Sequence, residues 1–107
     1  MTSQTGSVRR GRTPATASAW TDQATAQRCI THALRTHEQL VRDFAAGPRT
    51  NSYLSLYMTA ESPIGRCVWV DADGERHRGE TTFYVVKMAH TGDGVAVATS
   101  YPERPRA

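Results

Sequence analysis

Apolar side chains, with one histidine among them, recur at three- and four-residue spacing through Ala26, Ile30, Ala33, Leu34, His37, Leu40, Val41 and Phe44. That spacing lines one face of a 3.6-residue repeat and predicts a single amphipathic helix of about six turns. Its start is read at Ser18-Ala19-Trp20-Thr21-Asp22. Thr21 is placed to cap the free backbone N–H groups, and Asp22 falls in the first turn, at the positive end of the helix dipole. Gly47-Pro48 ends the element: glycine permits a left-handed cap and proline forbids continuation.

Beyond residue 50 the period changes to two. In Ser52–Met58 Leu54, Leu56 and Met58 alternate with Tyr53, Ser55 and Tyr57, which predicts a strand with one buried face. Further strands are predicted at Gly65–Val70, Thr81–Met88 and Val95–Tyr101. Turns are read at Asp71–Gly74 and Thr91–Gly94, and Glu75–Glu80 is a charged stretch leading into the third strand. Short connections favour antiparallel pairing, since parallel strands need long crossovers. The expected fold class is α+β: one long helix packed on an antiparallel sheet of about four strands.

Large apolar residues are nearly absent before residue 18, where Ser, Thr, Gly, Arg and Pro dominate. The chain of 107 residues therefore divides into a flexible leader (1–17), one folded domain (18–102) and a basic tail (103–107). No apolar run reaches the length of a bilayer span, and the arginines near the N-terminus lack the apolar segment of a signal peptide. A protein of the cytoplasm, monomeric and off the membrane, is the expectation. Cys29 and Cys67 form neither a CxxC pair nor a zinc pattern; two buried reduced thiols are the expectation, with a single disulfide between them the alternative.

Net charge is +3, carried by twelve arginines and a single lysine, Lys87. Arginine forks onto phosphate and stacks on bases, so the bias suits a nucleic-acid partner, although a GC-rich coding sequence produces the same bias. P-loop, GxSxG, HExxH and dinucleotide fingerprints are all absent. What remains is four histidines, the arginines, and the closing Thr99-Ser100-Tyr101-Pro102. Period two puts Thr99 and Tyr101 on one face, a hydroxyl beside a phenol, suited to hydrogen-bonding a phosphate oxygen or a base edge. The alternative is that Tyr101 caps the core. His37 on the apolar stripe reads first as a core histidine, His32 as solvated, and His77 and His90 as exposed loop residues able to exchange protons near neutral pH.

Three segments in order resemble one family. Trp20-Thr21-Asp22 followed by Ala26, Ala33 and Leu34, then Pro63-Ile64-Gly65-Arg66, then Thr99-Ser100-Tyr101-Pro102 are similar to the RNase A-like domain at the C-termini of bacterial contact-dependent inhibition proteins and other polymorphic toxins. The resemblance covers residues 16–102. It implies an RNase A-like fold without disulfides, and RNA cleavage that needs no metal or other cofactor. It further implies delivery as part of a larger secreted protein, RNA as substrate and an immunity protein as partner. Thr99 and Tyr101 match family active-site positions. Family members also carry an earlier helix with a catalytic histidine and then an arginine. Residues 1–17 hold no histidine, and Arg10 or Arg9 falls where that arginine is expected. The site expected from the resemblance is therefore Thr99, Tyr101 and Arg10 at the reacting phosphate, with Arg9, Arg66 and His37 as substrate contacts. A missing proton-transfer group lowers rate by roughly a hundred- to ten-thousandfold, so a weak nuclease or a non-catalytic RNA- or immunity-protein-binding relic is expected.

Overall fold

Asp22, not Thr21, caps the helix: its carboxylate accepts the Thr25 backbone N–H at 2.7 Å. That hydrogen bond, with one from the Thr25 hydroxyl, holds the Asp22 carboxyl below the usual carboxylate range. The computed structural model describes residues 17–105. The elements are β1 (Ala17–Trp20), α1 (Gln23–Thr36), α2 (Glu38–Ala46), β2 (Leu54–Thr59), β3 (Gly65–Val70), β4 (Arg76–Thr81), β5 (Phe83–His90) and β6 (Val95–Glu103). They form two antiparallel three-stranded sheets, ordered β1-β3-β4 and β2-β5-β6.

The α+β class is as the sequence predicts, and three details are not. First, the single helix is two, broken at His37, whose φ of −112° and ψ of 33° leave the helical region. The apolar spacing runs through the break because the ladder does: His37 N–H still reaches Ala33 O, and Val41 N–H reaches His37 O. Val41 and Phe44 of α2 still pack against the core that α1 covers. Second, Ala17–Trp20 is a strand rather than a helix start, because pairing with β3 overrides alanine's local preference. Third, the strands among the described residues number six, not about four: β1 was read as helix, and β4 has charged residues where an apolar alternation would have marked it. As an edge strand it gains from those charges, which discourage further pairing.

The core lies between the helices and one face of β2-β5-β6. Cys29 and Ala33 of α1 meet Leu56, Tyr84, Val86 and Met88, with Ile64 closing one end. Burying a side chain such as Leu56 stabilises by roughly 2 kcal/mol. The Tyr84 phenol donates to the Cys29 carbonyl at 3.2 Å, tying sheet to helix, and burial pushes its pKa up to about 12. Cys29 and Cys67 are both free and buried, so no disulfide links them, and burial raises both thiols. No helix among the described residues is long and apolar enough to cross a membrane.

The two sheets meet at a corner. β4 passes into β5 across a single residue, Thr82. The buried Thr81 hydroxyl donates to Glu103 O at 2.6 Å and accepts from the Phe83 N–H at 3.1 Å. Opposite Thr81 stands Gly65, and opposite Gly65 stands Trp20. A Cβ on Gly65 would collide with Ala19 O and lie 2.6 Å from Pro102 Cγ. Trp20 in turn packs on Tyr84, whose cross-strand partner is Pro102. All three segments that carry the family resemblance therefore converge here. Pro102 is tolerated within β6 because that strand is a sheet edge.

Candidate functional site

Residues directly paired across a sheet share a face, so the register of β2-β5-β6 assigns its open side. One cross-strand row is Ser55, Lys87 and Thr99; the next is Tyr57, Val85 and Tyr101. Both lie opposite in parity to Leu56, Tyr84, Val86 and Met88, the residues under the helices. Tyr101 therefore does not cap the core; its neighbour Pro102 is the residue that is fully buried. Thr99 is exposed and Tyr101 half-buried. They stand two apart on the same face, as period two requires.

Lys87 sits directly across from Thr99. Its Nζ is 6.0 Å from the centre of the Tyr101 ring and 5.9 Å from that of Tyr53, at the outer limit of a cation–π contact. Among the described residues no carboxylate lies within ion-pair distance of it. Buried Val85 floors the next row between Tyr57 and Tyr101. The face thus combines an ammonium with the hydroxyls of Ser55, Thr99 and Tyr101, donors that can bind a phosphate oxygen. Sequence reasoning passed over Lys87. The signal was present: a lone lysine in Thr81–Met88, alternating with Tyr84, Val86 and Met88.

The remaining expected residues lie elsewhere. Arg9 and Arg10 are outside the described residues. Arg66 is exposed on β3, in the parity opposite to Gly65 and Cys67, and so on the face turned away from Pro102. There it lines a shallow depression of about 440 Å³ with Arg78, Ala17, Ala19 and Val68 among others. His37 is half-buried at the helix break, with the β2-β5-β6 sheet between it and Thr99.

The other histidines differ from their sequence readings, apart from His32, which is exposed on α1 with Thr36 Oγ1 3.4 Å from its Nε2. His90 is half-buried rather than exposed, its ring 4.2 Å from that of Phe44 in α2. Its Nε2 is buried with no hydrogen-bond partner among the described residues. His77 belongs to β4, not to a loop. It stacks on Trp69, and its Nε2 is 2.7 Å from Asp71 Oδ2. That contact, with the N–H groups of Glu75 and Asp73, holds the Asp71 carboxyl below its ordinary range. Asp71, Glu75 and His77 offer three ligand atoms within 4.8 Å of one another, the grouping among the described residues with the reach to hold a metal ion. Asp71 is already engaged by its own turn and by His77.

The sequence profile of the bacterial CdiA-CT RNase A domain matches residues 5–102. Among solved structures, the fold is similar to that in a CdiA-CT/CdiI complex from Y. kristensenii 33638, with a TM-score of 0.71 and 21% identity. The match covers 89% of this chain and 82% of that one. No curated protein matches.

Proposed function

The chain belongs to the bacterial CdiA-CT RNase A domain family, and from that membership we propose that it is an endoribonuclease toxin domain cleaving RNA by metal-independent transphosphorylation. The ribose 2′ oxygen attacks the adjacent phosphorus as a base takes its proton. The bond to the 5′ oxygen breaks as an acid protonates it, and a 2′,3′-cyclic phosphate is left. Thr99 and Tyr101 donate hydrogen bonds to the non-bridging oxygens, whose charge grows in the phosphorane. Lys87 neutralises part of that charge from across the strand pair, and Arg10 and Arg9 supply the rest from the N-terminal segment. Arg66, beside Arg78, takes a flanking phosphate in its groove. His37 has no part in this scheme. The observation that carries the reading is the hydroxyl–phenol pair of Thr99 and Tyr101 on an open face beside the Lys87 ammonium, which has no carboxylate within ion-pair distance among the described residues.

The partner that fits is an immunity protein of the CdiI kind, and delivery as part of a larger secreted protein is the matching route. A second reading, a non-catalytic module that binds RNA or the immunity protein, has one observation in its favour. None of the four histidines shares a cross-strand row with Thr99 or Tyr101.

Purified protein incubated with single-stranded RNA in EDTA separates the two. The expected result is fragments ending in cyclic phosphate, reduced about a hundredfold or more in a Thr99→Ala/Tyr101→Ala variant. RNA bound but left intact at micromolar protein establishes the binding module instead.

A further inference from the structure

We propose that Asp71, Glu75 and His77 form a site for a divalent transition-metal ion such as zinc, built across the mouth of the β3–β4 hairpin and apart from the Thr99–Tyr101 face. Nothing in it depends on the nuclease reading. The strand register produces the grouping. Trp69 pairs with His77 and Val70 with Arg76, and the bond from the Asp71 N–H to Glu75 O at 2.9 Å continues that ladder. Successive residues alternate between faces. Asp71, Glu75, Trp69 and His77 therefore share one side of the hairpin, and Arg76 and Arg78 project to the other. The three ligand atoms lie within 4.8 Å of one another.

Imidazole separates this grouping from an ordinary acidic turn. One nitrogen and two carboxylate oxygens suit Zn²⁺, Co²⁺, Ni²⁺ or Cu²⁺, whereas Mg²⁺ and Ca²⁺ prefer oxygen alone. Two of the three ligands are already oriented. The His77 ring stacks on Trp69, with centroids 5.5 Å apart and planes 19° from parallel, and its backbone is held in β4. Asp71 Oδ1 accepts the N–H groups of Asp73 and Glu75, both at 2.9 Å, while Oδ2 faces His77 Nε2 at 2.7 Å. The side chains of His77 and Asp71 are 41% and 33% exposed, so an ion between them is partly shielded from water. A tetrahedral ion bound at about 2.0–2.1 Å spaces its ligands about 3.3 Å apart. Oδ2 and Nε2 thus open by roughly half an ångström as the ion takes the place of the proton between them, which leaves to solvent. The exposed Glu75 swings in as third ligand, and water completes the shell.

The test is calorimetric titration of Zn²⁺ into the full chain, stripped of metal with EDTA and dialysed, with Mg²⁺ as the control ion. A single equivalent of Zn²⁺ is expected to bind, and Mg²⁺ is not. His77→Ala and Asp71→Asn should each weaken Zn²⁺ binding about tenfold or more. His32→Ala, which removes an exposed histidine from α1, should leave it within about twofold of wild type. Zn²⁺ should also raise the Tm of the wild-type chain and not that of His77→Ala. Circular dichroism checks that the variants fold, and His77→Gln, which keeps a polar side chain on β4, gives the same reading should His77→Ala unfold. No binding of Zn²⁺ at roughly 100 μM protein overturns the proposal. So does a His77 variant that binds as tightly as wild type, an equal loss in His32→Ala, or Mg²⁺ held as well as Zn²⁺. Cleavage of RNA in EDTA bears only on the nuclease reading, and Zn²⁺ binding only on this one.

Discussion

Asp71 and Tyr84 sit at opposite ends of the pH scale, and each fixes one limb of the stability curve. The hydrogen bond to His77 and two backbone N–H groups depress Asp71 below the ordinary aspartate value of 3.8. A depressed acid contributes stability that is present above 3.8 and lost as pH falls below it. Asp22, held down by its cap bonds to Thr25, behaves the same way. Tyr84 is the reverse: raised from 10.0 to about 12, it stays neutral in the fold while the unfolded chain ionises. Its contribution is full below pH 10 and lost as pH rises toward 12. Cys29 and Cys67, raised from 9.0, begin the alkaline loss earlier. Urea unfolding across pH should therefore fall below about pH 4 and above about pH 9. Asp71→Asn is expected to flatten the acid limb, and Tyr84→Phe the part of the alkaline limb between 10 and 12. A limb unchanged by its variant would show that the group does not control it. These contacts were not readable beforehand. Asp71 looked like an ordinary turn residue, and the placement of His77 in β4 is what brings their side chains together.

At the scale of elements, the corner between the sheets is where small changes cost most. Gly65 has no room for a methyl group between Ala19 O and Pro102, and the clash is with backbone and a proline ring, neither of which yields easily. Gly65→Ala is expected to cost about 3 kcal/mol, roughly 12 °C or more in Tm for a domain of this size. Thr81→Val keeps the shape but leaves the Glu103 carbonyl and the Phe83 N–H without their Thr81 bonds, a loss of about 1–3 kcal/mol. Thermal melts of the two variants check both, and a Gly65→Ala protein as stable as wild type would refute the close packing. The motif Pro63-Ile64-Gly65-Arg66 was visible in the sequence, but its reason was not. The glycine is needed because Pro102, thirty-seven positions away, packs against it.

For the whole molecule, charge placement decides how RNA would be held. A net charge of +3 is too small for a strong non-specific field, so individual contacts should appear in the salt dependence. Each phosphate neutralised contributes about −0.7 to the slope of log affinity against log salt for a single strand. Lys87→Gln should make the slope of 2′-O-methyl oligonucleotide binding shallower by about 0.7. Arg66→Ala should do the same independently, because the two residues lie on different sheets. An unchanged slope for Lys87→Gln would mean that its ammonium meets no phosphate. Neither effect depends on turnover, so the salt titration stands apart from any cleavage assay.

By itself the sequence determined the α+β class, the helical stripe, four of the strands and the shared face of Thr99 and Tyr101. Each of these follows from a period of 3.6 or 2 within one segment, and such periods need no partner to be seen. Tertiary structure alone decided the rest: that β1 and β4 are strands, that the helix bends at His37, that Lys87 faces Thr99, and that Arg66 and His37 stand away from that pair. These depend on pairing between distant segments, where register and packing override local preference. A hydrogen-bonding neighbour across a sheet leaves no periodic trace in the chain that carries it.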